Sequence, residues 1–136
     1  MSPQIVERIV KSVDPNLEVL GFTCELGSSV GDNYMSIMYA VKIQVNNFNT
    51  TGDKSNLSIM LKTMPKNDIR IQMINDMGAF EKEMDVFQKV FPQMLDFQRS
   101  CGLEESEIFT AYPHCYCTFH DGKNDYIAME DLRDKK

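Results

Sequence analysis

Residues 35–63 read MSIMYAVKIQVNNFNTTGDKSNLSIMLKT, and two runs of alternation in this stretch decide the fold class. In the first run Met35, Ile37, Tyr39, Val41, Ile43 and Val45 occupy every second position. That is the period of a β-strand with one covered face. In the second run Leu57, Ile59 and Leu61 alternate with Ser58, Met60 and Lys62. Asn47 to Ser55, between the two, is rich in Asn, Thr, Gly and Asp, the composition of a hairpin loop. The stretch therefore predicts two antiparallel strands, from about Met35 to Asn46 and from Asn56 to Thr63.

Working outward, Glu18 to Leu26 reads as an earlier strand, joined to the first by a loop at Gly27-Ser28-Ser29-Val30-Gly31-Asp32-Asn33. Before it, Ile5, Val6, Ile9, Val10 and Val13 recur at helical spacing, with Ser2 able to cap and Pro3 suited to the first helical position. After Met64-Pro65 the period lengthens. Ala79, Phe80, Met84, Phe87, Val90 and Phe91 predict a helix from about Met77 to Phe91, which Pro92 is expected to break, opening a second short helix through Met94, Leu95 and Phe97. Cys115 to Phe119 and Tyr126 to Met129 predict two last strands around the turn Asp121-Gly122-Lys123-Asn124. Helix, three strands, helix, two strands is an α+β order.

The 136 residues suit one compact domain. Hydrophobic residues at 43% and charged residues at 25% exclude a disordered, collagen-like or polytopic membrane chain. Fourteen basic against 20 acidic residues give a formal charge of −6, which speaks against nucleic acid as a partner. No run of about 18 apolar residues predicts a spanning helix, so no membrane partner is expected. Cys24, Cys101, Cys115 and Cys117 come without other signs of a secreted scaffold, so reduced thiols and a cytoplasmic location are expected.

Three features carry chemistry. A loop with Gly27 and Gly31 lets backbone N–H groups come close to a phosphate, although such a loop also serves simply as a turn. Lys62 stands near the end of an apolar strand, where a lysine either reaches solvent or needs an anion. Glu83 lies three residues after Phe80 and four before Phe87, at the edge of the helix's apolar stripe, while Glu81, Lys82 and Asp85 lie on a solvated face. A carboxylate so placed needs a cation, and Lys62 on the preceding strand is the natural candidate. A glycine loop, a strand lysine and a helix glutamate in this order make a kinase-type ATP constellation.

The stretches GDNYMSIMYAVKI at 31–43, LKTMP at 61–65, AFEKEMDVF at 79–87 and IAMEDLR at 127–133 resemble the N-terminal part of the ecdysteroid kinase-like family. This family, also called CHK kinase-like and common in insects, is related to choline kinases and aminoglycoside phosphotransferases. One departure is Ala40, where the family's usual residue is arginine. The resemblance implies a protein kinase-like N-lobe: a five-stranded antiparallel sheet with a packed helix, plus an extra N-terminal helix. It divides the chain into an N-terminal helix at 1–16, a nucleotide-binding lobe at 17–129 and a hinge with the chain's end at 130–136. It implies ATP as cofactor, with Gly31, Asn33, Tyr34 and Ser36 covering the phosphates. Lys62 would bind phosphate and Glu83 would hold it, as the catalytic pair of this lobe. Met60 would cover the adenine ring, and Met129, Glu130, Asp131 and Leu132 would form the hinge, with backbone groups of Glu130 and Leu132 bonded to adenine.

The resemblance further implies a small-molecule hydroxyl acceptor, such as a steroid or another lipophilic alcohol, and Mg²⁺ held by a second lobe. That lobe would bring an H-x-D-x-x-x-x-N loop, which neither His114 nor His120 opens, since Tyr116 and Gly122 follow two residues later. With the chain stopping at Arg133-Asp134-Lys135-Lys136, the catalytic lobe is expected to be absent and these residues alone inactive. The surfaces that would meet that lobe would then be exposed, favouring self-association. The competing reading is a non-catalytic truncated paralogue that binds a nucleotide or a protein. His114, Cys115, Cys117 and His120 cluster as zinc ligands do, but alternation along one strand puts the histidines on one face and both cysteines on the other, so no metal site is expected.

Overall fold

The computed structural model describes residues 1–29, 35–49 and 53–134. Strands β1 (Leu17–Leu26), β2 (Ile37–Asn47), β3 (Lys54–Thr63), β4 (Cys115–Phe119) and β5 (Tyr126–Glu130) form one sheet in the order β1-β2-β3-β5-β4. All four pairings are antiparallel. The alternation of 35–63 is realised as a ladder in which Val41 faces Ile59 and Met38 faces Lys62. Across the next pairing Met60 faces Met129 and Lys62 faces Ile127. The α+β class, the five strands and the N-lobe architecture are therefore those that the sequence predicts.

The period-2 pattern sorts side chains into two layers. On one face Val41, Ile43, Val45, Ile59, Leu61, Tyr126 and Ala128 pack against Val6, Ile9 and Val10 of helix α1 (Pro3–Val13). Lys11 holds the end of α1 by donating from Nζ to the carbonyls of Pro15 (2.9 Å) and Leu17 (2.8 Å). On the opposite face Ile127, Met129 and the half-buried Met60 pack against Met64, Ile74, Phe80 and Met84. Lys62 belongs to this second face.

Helix α2 (Asp68–Met77) is absent from the sequence reading, and the reason is physical. Only Ile74 of this helix is buried, while Ile69, Met73 and Met77 are exposed, so its apolar residues form no single stripe. Its ends are specified locally instead. The Asn67 side chain accepts from the Arg70 N–H, and Gly78 closes the helix in the left-handed region at φ 61°. Gly78 also starts helix α3 (Ala79–Asp85), so one residue sets the angle between the two.

Pro92 stands in the first turn of a second helix as predicted, but without the predicted break. The helical path continues from α3 through a π-helical turn (Val86–Val90) into α4 (Phe91–Ser100). The N–H of Phe91 reaches back five residues to the Val86 carbonyl. The wider turn takes up the missing Pro92 donor and its ring, which an α-helix would set against the preceding turn.

Strand β4 corrects a second expectation. A bulge between Cys115 and Cys117 pairs Cys115 with Met129 and Cys117 with Ala128. The extra residue flips the alternation. Cys117 therefore packs into the α1 layer and Cys115 into the opposite layer, rather than both on one face. All four cysteines are free thiols. Among the described residues no helix is long and apolar enough to cross a membrane.

Because Gly78 sits at φ 61°, Gly78→Ala should lose about 1–2 kcal/mol of stability in urea unfolding, with an unchanged m-value.

Candidate functional site

The second sheet face ends at β3 in Lys62, whose Nζ donates to Glu83 Oε2 of α3 at 2.5 Å. The two side chains retain 25% and 32% of their exposure, and Nζ lies 5.8 Å from the centre of the Phe80 ring. The aromatic face and the carboxylate thus share one ammonium. The pair spans 21 residues and ties the sheet to the helix. Each partner sits where its local period puts it. Lys62 is on the face opposite Ile59 and Leu61, and Glu83 is at the rim of the layer that Phe80 and Met84 enter.

Around the pair, Met60 and Met129 are cross-strand neighbours on the same layer. Gly27, just past the end of β1, donates its N–H to the Met38 carbonyl at 2.8 Å. A Cβ at Gly27 would lie 2.7 Å from Met60 Cε and 3.3 Å from the β2 backbone. Its hydrogen atom is what lets the chain lie directly over Met60. Ser36 immediately precedes β2, and its neighbour Ile37 pairs with Thr63, next to Lys62. Gly31, Asn33 and Tyr34, the rest of the expected phosphate loop, lie outside the described residues. The same sheet face continues past Ser58 and Asn56 into a groove of about 550 Å³, also lined by Thr23, Lys42 and Gln44. A separate cavity of about 360 Å³, between Ile5, Tyr39, Leu61 and Tyr126, opens on the α1 side and does not reach Lys62.

At the expected hinge the structure separates the predicted residues. Met129 is buried against Met60, whereas Leu132 is exposed at the start of a short 3-10 turn (Leu132–Asp134). Glu130 donates its N–H to the His114 carbonyl at 2.8 Å, and its carboxylate accepts the His114 N–H at 3.3 Å. Its backbone N–H is thus engaged within the β4–β5 layer.

Sequence reasoning missed Arg133. Its Nη2 donates to Asp131 Oδ2 at 2.6 Å and its Nε to Oδ1 at 2.9 Å, and Nη2 also lies 3.3 Å from Met60 Sδ. The guanidinium holds the buried Asp131 carboxyl below the usual carboxylate range. The spacing D-x-R at 131–133 was the available signal.

The turn after β4 is also more than a simple connection. Asp125, fully buried, accepts the N–H groups of Asp121 (2.9 Å) and Gly122 (2.8 Å) and faces His120 Nδ1 at 2.7 Å. Asp121, bonded by the N–H groups of Asn124 and Lys123, has its carboxyl lowered to about 2. Cys115 is pushed up to about 11, chiefly by burial, then by Cys117 and by the Glu83 charge. Among the described residues no three His, Cys, Asp or Glu side chains gather as metal ligands.

A family model described as the ecdysteroid kinase-like family matches residues 30–136. The chain belongs to this family. Its members are kinase-like phosphotransferases, a kind of enzyme that in general uses ATP with Mg²⁺ and acts on small molecules. No curated protein and no solved structure matches the chain.

Two outcomes test this geometry. With its thiol raised to about 11, Cys115 should react with iodoacetamide at neutral pH at least about tenfold more slowly than the exposed Cys101, read by mass spectrometry of peptides. Asp121 and Asp131 both titrate below the ordinary carboxylate value when folded. Their contribution is complete above about pH 4 and is lost as pH falls through the lowered folded values, about 2 for Asp121. Asp131→Asn should flatten part of that acid slope in a circular-dichroism titration.

Proposed function

We propose that this chain forms the ATP-binding part of an ATP-dependent phosphotransferase that acts on a small-molecule hydroxyl. The Lys62–Glu83 pair at 2.5 Å carries the reading. An ion pair this accessible adds at most about 1 kcal/mol to folding. Stability is thus a weak reason for setting an ammonium at the rim of an apolar layer. An ammonium held by a carboxylate and left partly open to solvent suits an anionic ligand.

ATP, when bound, supplies the phosphoryl group. Lys62 would neutralise charge on its α- and β-phosphates, and Glu83 would keep that ammonium in place. Gly31, Asn33, Tyr34 and Ser36 would close over the phosphates. Met60, onto which the Gly27 backbone packs directly, would form one wall of the adenine slot. At the hinge Met129 would back the base, with the Glu130 carbonyl and the Leu132 N–H as its hydrogen-bonding groups. The Arg133 guanidinium, in contact with Met60, would border the same slot. Mg²⁺ ligands and the base that orients the acceptor are not assigned to any residue of this chain. By itself the chain is therefore proposed to bind ATP without transferring phosphate, and a lipophilic alcohol such as a steroid is the proposed acceptor class.

Lys62→Met and Glu83→Gln should each weaken ATP binding about tenfold or more, measured by titration calorimetry, while the melting temperature changes little. Unchanged affinity in both variants would remove the nucleotide reading. Radiolabelled ATP with the isolated chain should give no phosphate release above background.

A further inference from the structure

Outside the Lys62 site, His120 is the last residue before the β4–β5 turn. Both of its ring nitrogens face carboxylates on different elements. Nδ1 lies 2.7 Å from Asp125 Oδ2, and Nε2 lies 3.2 Å from Glu81 Oε1 on α3. Asp125 is a fixed point. Its side chain is fully buried, it holds the turn N–H groups of Asp121 and Gly122, and its carbonyl accepts the Met64 N–H from the end of β3 at 3.2 Å. Glu81 is the exposed partner, at 59%, two residues before Glu83 on the same short helix.

We propose that His120 is a positioning residue for the Lys62–Glu83 pair: as an imidazolium it ties Glu81 of α3 to the β4–β5 turn, and loss of its proton removes that tie and loosens α3. The inference rests on the proposed role of that pair. A neutral imidazole has one N–H donor and one acceptor, while a carboxylate offers only acceptors. The neutral ring therefore satisfies one of its two neighbours and sets a lone pair against the other. The buried, anchored Asp125 keeps the remaining N–H, so the bond that fails is the one to Glu81. Protonation of one ring decides whether helices α2 and α3 together have two side-chain ties to the β4–β5 turn or one. The second is Asn75 at the end of α2, which donates from Nδ2 to the Gly122 carbonyl at 2.6 Å.

The charged groups facing the ring are Asp125 from the turn, Glu81 from α3 and Asp121 from the turn, all acidic. The hydrogen bond to Asp125 leads in holding His120 protonated above its ordinary value, with Asp121 and Glu81 adding to it. The clamp's stabilisation is thus complete below about pH 6.5 and is lost as pH rises through the raised folded value.

The experiment follows amide hydrogen exchange of residues 79–85, corrected for intrinsic rate, at about pH 6 and about pH 9. The wild-type chain should lose about two- to fivefold protection of α3 between these pH values, the size of an accessible charged pair. Glu81→Gln, exposed and safe for folding, should start low and show no such change. His114→Gln, which alters the other histidine, should track the wild type. A wild-type α3 whose protection is independent of pH, or a Glu81→Gln chain that keeps the full pH dependence, overturns the proposal. A second arm compares ATP affinity of wild type and Glu81→Gln at each pH, so that titration of ATP itself cancels. The ratio should be about two- to fivefold at the lower pH and close to one at the higher. A wild-type chain that binds no ATP at all removes the function proposed above, and the exchange arm still decides the role of His120.

Discussion

The Lys62–Glu83 contact is the constraint around which the rest of this structure is arranged. A single ammonium at the end of β3 meets a single carboxylate on a seven-residue helix, and the two are 21 residues apart in the chain. An ion pair this accessible cannot itself hold a helix against a sheet. The helix has to be delivered by other forces, and the pair then reports that it has arrived. Phe80 and Met84, both buried, supply the apolar contact that docks α3 on Ile127 and Met129. Gly78 sets its direction, and the π turn before Pro92 lets the same helix run on into α4.

The layered construction of the sheet follows from one alternation. Odd-numbered residues of β2 and β3 bury against α1, which frees the even-numbered ones to face α3 and the groove. Helix α1 is therefore part of the core that keeps Lys62 pointing the right way. Val6, Ile9 and Val10 are at most 1% exposed, as deeply buried as any residue in the sheet. The polar anchors lie at the ends of β5. Asp125 gathers the turn at its beginning, and Asp131 holds Arg133 beyond its end. Between them runs the five-residue strand whose side chains touch both layers.

Much of this was legible in the sequence, and what was not shares a common cause. Strands β2 and β3 were readable because one covered face imposes period two on a long run. Glu83 was readable because three neighbouring charges fall on the far side of its helix. Helix α2 escaped because its apolar residues point in several directions and only Ile74 is buried. The two faces of Cys115 and Cys117 escaped because a bulge inserts one residue without leaving a pattern in composition. The setting of His120 escaped because its partners, Asp125 and Glu81, come from a turn and from a helix 39 residues earlier.

The sequence alone determined the strand order along the chain, the side on which each alternating residue of β2 and β3 lies, the family, and the identity of the lysine and glutamate. These depend on local period and residue type, which the backbone's two repeats of 2.0 and 3.6 translate directly into faces. Tertiary structure decided which faces meet. It brought Lys62 against Glu83, set Gly27 over Met60, laid Arg133 against Met60 and placed His120 between two carboxylates. Those contacts depend on helix angles, a π turn and a bulge. Each is a compromise between backbone hydrogen bonding and packing across distant segments, and no local window of sequence contains both sides of it.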